Sequence, residues 1–361
     1  MKKICFIFGG NIQMCPYLNN YLNSIGNNVE FDIIYWERYE AKKNIIYSKK
    51  PNKLFIYKKK ILKKIDKIIG FYSFKKYVEN ILVKNKYDKI VFLQTNMAIM
   101  CEKYILKNSN IEYFLDVRDY SNEHKLIVKN KEKRIFPRMK YISISSEGFK
   151  SFLPSNFNYI TVHNLQNNTM MVKKEDVLSK KITSLKIGYI GNMSLYCDYL
   201  IKVISLFKND DRYVLYFIGI GSDKLKDFCE KNKIQNVVIR GEFKPEDINQ
   251  LYKEIDIVNN LYGNNNPYLD FSLSNKLYLA AQYSLPILVC PKTSMEEISL
   301  RNKFGYVVDI NDSNIKDNLY NWYVNLDFEN LFNNCVKFNN KVVQDNFLYK
   351  KILNDFFGGE K

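Results

Sequence analysis

Short apolar runs alternate with amphipathic segments from the start of the chain. Lys3–Phe8 is rich in Ile and Phe and ends at Gly9-Gly10, a pattern typical of a buried parallel strand followed by a tight turn. Residues 14–25 carry apolar side chains at helical spacing, and Glu30–Trp36 is the next strand-like run. The chain therefore opens as β-α-β, which predicts a doubly wound parallel sheet.

The same alternation continues through two halves of the chain. Residues 166–184 are polar and lack periodicity, so we interpret them as a linker. The expected fold is α/β, with Rossmann-like domains at 1–165 and 185–340 that face a central cleft, and a C-terminal helix at 341–361 that packs back on the first domain. Long helices are expected over Lys58–Lys84, 313–336 and 341–357. The remaining predicted strands are 54–57, Lys89–Gln94, Glu112–Val117, Tyr141–Ser145, Tyr159–Val162, Leu185–Ile190, Tyr213–Ile218, Val237–Ile239, Asp256–Asn259, Pro286–Cys290 and Gly305–Val308.

Composition and charge narrow the class of protein. Of the 361 residues, 46% are hydrophobic and 26% charged, so a sizeable core is available and wholesale disorder is excluded. The net charge is +17, and residues 1–165 hold 30 basic and 14 acidic side chains, so nearly all of the excess lies in the first half. A basic half suits nucleic acid, an anionic membrane or a phosphorylated substrate. No RRM, KH or helix-turn-helix pattern supports nucleic acid.

Cysteine and histidine usage excludes several kinds of site. Seven cysteines without a CxxC pair, several of them in apolar runs, are expected to be buried thiols of a reducing compartment. His124 and His163 are too few for a His-rich metal site, and we interpret His163 as structural. No apolar run approaches the roughly 20 residues of a membrane span, and the start of the chain lacks a signal-peptide cleavage pattern. These features predict a cytoplasmic protein.

The residues that follow the predicted strands carry the candidate chemistry, because ligands of such sheets bind outside the carboxyl ends of the strands. Gly9-Gly10-Asn11 and Gly191-Asn192 allow a ligand to approach the backbone closely; alternatively, they are simple turns. Neither is a GxGxxG fingerprint, so a nicotinamide cofactor is disfavoured. Lys276, in the first turn of a predicted helix at Asn275–Ser284, suits a diphosphate clamp; alternatively, it is one surface lysine among many.

An ordered set of segments resembles a known family. The run Ser274–Leu288, SNKLYLAAQYSLPIL, resembles the P-x-K-x-x-E-Y-L-A-A-G-x-P-V-I stretch of GT-B glycosyltransferases, especially the large retaining family numbered four. Four further segments of the second half look like elements of that family in the same order: Leu185–Gly191, Tyr216–Gly221, Asn236–Phe243 and Tyr252–Asp256. In the first half, segments at 116–120, 144–149, 153–154 and 162–164 look like transferases of bacterial surface-polysaccharide assembly.

The resemblance implies a retaining glycosyltransferase that moves a sugar from a nucleotide-sugar donor, foremost a UDP-sugar, to a lipid-linked glycan of capsule or exopolysaccharide synthesis. It implies a donor site on the second domain, an acceptor site on the first, and no metal or other cofactor. The suggested donor-binding residues are Gly191, Asn192, Gly219, Arg240, Phe243, Ser274, Asn275, Lys276, Glu296 and Glu297. The suggested catalytic residues are Asp116, Arg118 and Asp119, with Asp119 orienting the acceptor hydroxyl, and the suggested acceptor-binding residues are Gly9, Gly10 and Asn11.

Three departures from the family pattern bear on the donor. Leu279 stands where the family has a Glu that binds ribose, Ser284 stands where it has a glycine, and the usual Arg and Lys after the strand Leu185–Ile190 are absent. Asp270 or the pair Glu296-Glu297 are the candidates to supply the missing carboxylate. Alternatively, the two glutamates interact favourably with the dipole of the helix that they begin.

The segment Lys58–Gly70, KKKILKKIDKIIG, places isoleucine and leucine on one helical face among many lysines. Such a helix binds an anionic membrane surface, each Lys contributing about 1 kcal/mol. Alternatively, its apolar face packs on the core and its lysines are solvated. Because lipid-linked acceptors lie at the inner face of the plasma membrane, the first alternative predicts a peripheral protein there.

Other functions remain open on the sequence alone. One is a nucleotide-sugar epimerase of GT-B architecture, and another is a non-catalytic nucleotide-sugar-binding or scaffold subunit. Nucleic-acid binding is disfavoured, and a homodimer is kept as an alternative to a monomer.

Overall fold

The computed structural model describes residues 2–40, 47–164, 169–179 and 183–358. The chain divides into two compact units: the first is Met1–Asn164 with Asp345–Lys361, and the second is Leu165–Gln344. The linker expected at 166–184 falls outside the described residues at 166–168 and 180–182, and so does the end of the expected C-terminal helix, at 359–361. Between the gaps, Lys174–Leu178 form a short helix.

A seven-stranded parallel sheet of order β3-β2-β1-β4-β5-β6-β7 forms the first unit. Its strands are β1 (Lys3–Phe8), β2 (Glu30–Glu37), β3 (Lys53–Lys58), β4 (Lys89–Phe92), β5 (Glu112–Val117), β6 (Met139–Ile144) and β7 (Tyr159–Thr161). Helices α1 (Leu18–Leu22), α2 (Lys64–Asn85), α3 (Thr95–Met100), α4 (Glu102–Lys107) and α5 (Leu126–Ile135) lie between them. Parallel strands need crossover connections that cover both faces of a sheet, which is why central strands such as β1 and β4 are mostly apolar and buried.

A six-stranded parallel sheet of order β10-β9-β8-β11-β12-β13 forms the second unit. Its strands are β8 (Leu185–Ile190), β9 (Tyr213–Ile218), β10 (Val237–Arg240), β11 (Ile257–Asn260), β12 (Ile287–Val289) and β13 (Gly305–Val307). Its helices are α6 (Lys174–Leu178), α7 (Cys197–Phe207), α8 (Asp223–Lys231), α9 (Ile248–Lys253), α10 (Pro267–Asp270), α11 (Asn275–Gln282), α12 (Ser294–Arg301) and α13 (Ile315–Val324). The last helix, α14 (Phe328–Phe357), begins in the second unit and belongs to the first from Asp345 onwards.

Aromatic side chains from distant parts of the sequence fill the core of the first unit. Phe6 on β1 lies 6.1 Å from Tyr21 and 5.7 Å from Phe357, between ring centroids. All three side chains are buried, and each contributes about 2 kcal/mol of hydrophobic stabilisation. The end of α14 thus completes the core that surrounds the first strand.

The helix expected over Lys58–Lys84 begins later in the structure. Lys58 still belongs to β3, where it pairs with Glu37 of β2, and α2 begins only at Lys64. The Asp66 carboxylate accepts the N–H groups of Leu62 and Lys63, at 3.2 and 2.8 Å, and thereby caps the first turn. Sheet pairing and this cap override the helical periodicity of residues 58–63.

The expected break between helices at 313–336 and 341–357 is also absent. The structure instead ends α13 at Val324 and continues α14 without interruption through residues 337–340. Those four residues include no glycine or proline, and Phe338 packs against Tyr278 and Phe304, with ring centroids 6.2 and 5.3 Å away. Core packing therefore holds the helix continuous where the sequence is polar.

The seven cysteines are all buried and free, as the sequence predicted. Burial raises the pKa of the Cys15 thiol to about 12, so this side chain behaves as a small apolar group. Among the described residues, none of the helices is both long enough and apolar enough to cross a bilayer.

Candidate functional site

The turns that follow β8 and β9 lie against each other in the second unit. The Gly191 N–H donates to the Ile218 carbonyl at 2.9 Å, and the Met193 N–H donates to the Ile220 carbonyl at 2.9 Å. Gly219 has φ +137°, and a Cβ at this position would lie 2.1 Å from the Gly191 carbonyl oxygen. Only glycine fits this close approach, so two predicted donor-binding residues are brought together.

Lys276 lies beside this pair of turns, at the start of α11. Ser274 caps the helix, because its Oγ accepts the Lys276 backbone N–H at 3.3 Å. The side chain of Lys276 is buried, and its Nζ lies 3.6 Å from the place where a Cβ on Gly191 would be. The structure thus brings Lys276, Gly191 and Gly219 together at the carboxyl end of the sheet.

The Lys276 ammonium forms no ion pair within the part of the chain that the structure describes. Two aromatic rings lie close to its Nζ: the centroid of the Tyr189 ring is 3.9 Å away, and that of the Tyr262 ring is 5.8 Å away. Burial lowers the pKa of Lys276 to about 8. A buried ammonium at a helix N-terminus is suited to bind an anionic ligand, because the negative charge of the ligand compensates the hydration that the ammonium loses on burial.

The turn after β8 is ordered by its own polar groups. The Asn192 Oδ1 accepts the Ser194 N–H at 2.9 Å, and the Asn192 carbonyl accepts the Tyr189 hydroxyl at 3.0 Å. Asn192 itself is exposed. This turn contains no Arg or Lys, and the cation that lies beside Gly191 is Lys276 of α11.

Two buried polar atoms near the end of β11 and in α10 lack a hydrogen-bond partner among the described residues. They are Oδ1 of Asn260, at the last position of β11, and Oδ1 of Asp270, at the last position of α10. Desolvation raises the pKa of the Asp270 carboxyl. Unpaired buried oxygens are rare in native proteins and suit hydroxyl or amide donors of a ligand.

Arg240 and Phe243 are predicted near the base and ribose; Arg240 is the last residue of β10, and Phe243 follows that strand. Arg240 Nη1 donates to Glu254 Oε2 at 2.6 Å, while its carbonyl accepts the Gly219 N–H at 3.1 Å. Phe243 is half-buried and packs against the core. The backbone of Arg240 thus contacts the predicted site, whereas its guanidinium is paired elsewhere.

The glutamates at the start of α12 are engaged in local contacts. Glu296 Oε2 accepts the Lys292 N–H at 2.5 Å, and the Glu296 N–H donates to Thr293 Oγ1 at 3.2 Å. Glu297 is exposed and lies 3.7 Å from Arg301 as an i,i+4 ion pair. These contacts favour the alternative in which both carboxylates support the helix.

The two other departures from the family pattern have clear structural outcomes. Leu279 is half-buried and packs on the core of the second unit. Ser284 has φ +50°, so it retains the left-handed backbone typical of the glycine that it replaces. Asn275 is exposed in the first turn of α11.

In the first unit, the turn after β1 is packed tightly. A Cβ on Gly9 would lie 2.5 Å from Met97 Cε. Asn11 is buried, with its Nδ2 donating to the Tyr39 carbonyl at 2.7 Å and its Oδ1 accepting the Arg38 N–H at 2.8 Å. Gly9, Gly10 and Asn11 are all buried, and Asn11 ties the turn to the end of β2.

Arg38 is a further cation at this edge, beyond the residues expected from the sequence. Its guanidinium donates to the Gly9 carbonyl and lies 4.5 Å from the centroid of the Trp36 ring. Burial lowers its pKa, and its Nε has no partner among the described residues. The signal in the sequence was a basic residue directly after a strand, next to the first turn.

The predicted catalytic residues separate into an interior pair and an exposed carboxylate. Asp116 is fully buried and accepts Ser143 Oγ at 2.7 Å and Arg118 Nε at 2.8 Å. The Arg118 guanidinium also lies 4.2 Å from the centroid of the Tyr17 ring. Asp119 is exposed, yet the surrounding protein desolvates its carboxyl enough to raise its pKa. Only Asp119 of the three offers an exposed carboxylate.

The two histidines have local partners. His124 Nδ1 lies 2.7 Å from the Tyr120 hydroxyl, and His163 Nε2 lies 3.1 Å from Asp345 Oδ2. His163 thus holds α14 within the first unit, which agrees with its expected structural role.

Two buried glutamates follow Asp119 and were missed by the sequence analysis. Glu123 and Glu132 are fully buried, and only Glu123 Oε2 has a partner within the described residues, the Ser121 N–H at 2.5 Å. Burial raises the pKa of Glu123 to about 7. The pKa of Glu132 is raised to about 8, chiefly by burial and further by Glu123. No periodicity in the sequence marks these carboxyls as interior.

The start of α2 exposes an apolar surface. It consists of Leu62, Ile65, Ile68, Ile69 and Tyr72, which we call the α2 patch, and these side chains are between 49% and 86% exposed. The opposite face of α2 is the one that packs on the core, through residues such as Phe74 and Val78. The core-packing alternative is therefore excluded for the α2 patch.

The sequence of the second unit matches a known protein family, and solved structures match nearly the whole chain. Residues 184–320 match the family model described as Glycosyl transferases group 1. No curated protein matches the sequence. Sucrose-phosphate synthase from Thermosynechococcus elongatus has a TM-score of 0.71 at 10% identity, covering 99% of this chain and 100% of that one. Anabaena Alr3699/HepE in complex with UDP-glucose has a TM-score of 0.63 at 12% identity, covering 98% and 100%. WaaG, a glycosyltransferase involved in lipopolysaccharide biosynthesis, has a TM-score of 0.59 at 12% identity, covering 99% and 100%.

These similarities confirm the fold and the enzyme class that the sequence predicted. Both units are Rossmann-like, and the chain has the GT-B fold. The family match over residues 184–320, in the second unit, supports the enzyme class of glycosyltransferase. Membership of the retaining family numbered four stays a prediction.

Proposed function

We propose that this glycosyltransferase transfers a sugar from a UDP-sugar to a lipid-linked glycan in the synthesis of a bacterial surface polysaccharide. The assignment of a donor-binding site rests on one observation. The Lys276 ammonium is buried beside the Gly191 turn and has no ion pair in the described part of the second unit. A nucleoside diphosphate supplies the negative charge that this cation lacks. The UDP-glucose bound by Alr3699/HepE supports UDP as the nucleotide.

In the proposed reaction, the bond between the anomeric carbon and the donor diphosphate breaks, and its electron pair leaves with the UDP. The acceptor oxygen bonds to the anomeric carbon with retention, and the hydroxyl proton passes to the departing diphosphate. Negative charge grows on the leaving diphosphate in the transition state. We assign the stabilisation of that charge to the Lys276 ammonium, together with the positive end of the α11 helix dipole. This mechanism assigns no task to a metal ion or cofactor, so transfer is expected to persist in EDTA.

The remaining donor contacts are proposed from the same edge of the second unit. Asn192, Gly219, Ser274 and Asn275 surround the phosphates, and Phe243 with the backbone of Arg240 lies toward the nucleoside. The unpaired Oδ1 of Asp270 is our candidate acceptor for a ribose hydroxyl, in place of the carboxylate that Leu279 lacks. We assign Glu296 and Glu297 to helix support rather than to the donor, because both are engaged locally.

On the acceptor side, we propose that Asp119 orients the hydroxyl that receives the sugar. Its exposure and its raised pKa, caused by desolvation, suit a hydrogen bond to that hydroxyl. Asp116 and Arg118 hold the chain just before it through their buried ion pair. The turn at Gly9, Gly10 and Asn11 supports the same edge, with Arg38 as a cation for a phosphate of the acceptor.

We further propose that the α2 patch places the first unit on the inner face of the plasma membrane. Its five apolar side chains are exposed, and the lysines from Lys58 to Lys67 outnumber the one acidic residue in that stretch, Asp66. Apolar insertion and attraction to anionic lipid then act together. Ile65→Ser with Ile68→Ser should weaken sedimentation with vesicles that contain phosphatidylglycerol, whereas Val83→Ser, exposed near the other end of α2, should not. Equal loss in all variants would contradict this placement.

Lys276→Ala tests the proposed donor site. We expect UDP affinity, measured by calorimetry, to fall at least tenfold, since the variant loses a charge-assisted contact of about 1.5–3 kcal/mol. Lys208→Ala, an exposed lysine after α7, is the matched control and should bind UDP normally. Unchanged affinity in Lys276→Ala would refute the site.

The reaction itself is tested by product analysis. UDP-sugars found by a thermal-shift screen of UDP-, GDP- and dTDP-sugars are incubated with lipid-linked glycans, and transfer is followed by mass spectrometry. Conversion of the donor to an epimer without an acceptor would instead indicate the epimerase. Binding without turnover would indicate a non-catalytic subunit.

A further inference from the structure

Tyr189 connects the two elements that carry the proposed diphosphate contacts. It lies at the fifth position of β8 and is 1% exposed. The face of its ring lies beneath Lys276, with 3.9 Å between Nζ and the ring centroid. Its hydroxyl donates to the Asn192 carbonyl at 3.0 Å. One buried side chain therefore contacts both the lysine and the turn.

The surroundings of Lys276 make the ring contact important. The aromatic rings near its ammonium are those of Tyr189 and Tyr262, and Tyr196 packs against Tyr262 at a tilt, with centroids 5.0 Å apart. No carboxylate pairs with Lys276 within the described residues, and burial lowers its pKa to about 8. Desolvation raises the pKa of Tyr189 well above its ordinary value, so this ring is a neutral phenol. The electron-rich face of a neutral ring is then the main contact that favours the charged lysine.

We propose that Tyr189 is a positioning residue for the donor diphosphate: its ring keeps the Lys276 ammonium charged and beside Gly191, and its hydroxyl fixes the turn at Asn192. This inference rests on the proposed function, in which Lys276 binds the diphosphate. The two contacts are made by different parts of the side chain, so they can be removed separately.

Tyr189→Phe removes the hydroxyl and keeps the ring. We expect UDP affinity to fall by a factor of about 3–10, because the net worth of one hydrogen bond is lost. The pH above which UDP binding weakens should stay unchanged, because the cation still lies on an aromatic face. Calorimetry between about pH 6.5 and pH 9.5 measures both quantities.

Tyr189→Leu removes the ring as well. Without the aromatic face, the charged form of Lys276 is less stable, so the pH above which UDP binding weakens should fall by about one unit. At about pH 8 the variant should bind UDP at least tenfold more weakly than the wild type, and acidification to about pH 6.5 should restore much of the difference. Recovery at low pH is a response that a general loss of structure would not give.

Phe217→Leu is the matched control. Phe217 is buried, stacks on Tyr189 with ring centroids 6.4 Å apart and belongs to the same core cluster. Its replacement should lower thermal stability as Tyr189→Leu does, yet leave the pH dependence of UDP binding unchanged. An equal shift of the pH dependence in both variants would overturn the inference.

Fluorination keeps the test decisive if Tyr189→Leu does not fold. Phenylalanines with one to three ring fluorines at position 189 preserve the ring shape but withdraw electron density from its face. We expect UDP affinity at about pH 8 to fall stepwise with each fluorine. If affinity does not change with fluorination while Lys276→Ala still weakens UDP binding, the role of Tyr189 is refuted and the donor site stands. If Lys276→Ala leaves UDP binding unchanged, the proposed function fails first.

Discussion

Replacement of Glu132 by glutamine should remove most of the alkaline sensitivity of α5. The Glu132 carboxyl is fully buried in the first unit, and neither of its oxygens has a partner among the described residues. Such a group folds most favourably when it carries a proton. Glutamine has nearly the same shape and cannot ionise, so it isolates the effect of charge.

The sign and size of the effect follow from the pKa. The carboxyl ionises near 4.5 in the unfolded chain, and burial, with a smaller contribution from Glu123, raises its pKa in the folded state to about 8. The stability that the protonated form contributes is complete below the unfolded pKa and is lost as the pH rises through the folded pKa. Between about pH 5 and pH 9, linkage for one group gives a loss of about 4 kcal/mol, and local relaxation reduces it to about 2–4 kcal/mol.

Amide hydrogen exchange of α5 is the direct assay, because it reports local opening free energies without global unfolding. In the wild type, the opening free energy of α5 should fall by that amount from about pH 5 to pH 9, whereas in Glu132→Gln it should fall much less. Glu30→Gln, at an exposed position of β2, should behave as the wild type. If Glu132→Gln and the wild type respond identically to pH, the buried carboxyl does not hold its proton and the reasoning is wrong.

Three further substitutions test Gly219, the buried Asp116–Arg118 pair and the acceptor role of Asp119. Gly219→Ala should abolish UDP binding and lower the free energy of unfolding by roughly 3 kcal/mol, because a Cβ at this position would meet backbone atoms. Gly241→Ala is the control: nothing lies within 4 Å of a Cβ there, so UDP binding by calorimetry and thermal unfolding should not change. Asp116→Asn should cost about 3–5 kcal/mol in denaturant unfolding, since it leaves the buried Arg118 charge without its partner. Asp119→Asn should lower kcat of sugar transfer about 10²-fold without changing UDP affinity, and a parallel loss of UDP affinity would contradict its placement on the acceptor side.

Much of the architecture was predictable because parallel strands have a simple signature. Runs such as Lys3–Phe8 and Leu185–Ile190 are mostly apolar, are followed directly by glycine and form strands at the expected positions. The proximity of Lys276 to Gly191 was predictable, because the carboxyl ends of parallel strands share one edge of the sheet. The steric need for glycine at Gly219 became evident only once the two turns could be placed side by side.

The parts that the sequence did not predict depend on long-range contacts. The late start of α2 results from pairing of Lys58 with Glu37 on the neighbouring strand, which no local pattern encodes. Burial of Glu132 within a charged, lysine-rich helix contradicts its polarity and is decided by the tertiary fold. The role of Tyr189 needs a distance to Lys276, which lies 87 positions away in the sequence.

The path of α14 has a consequence for synthesis on the ribosome. The first unit lacks its final segment, Asp345–Lys361, until all of the second unit has been translated. Until then, Phe6 and Tyr21 have no contact with Phe357, and the nascent first half presents an unfinished apolar surface. The half of the protein that is made first is therefore the half that finishes folding last. In a cell, this interval is when the chain depends most on chaperones and is most prone to aggregate.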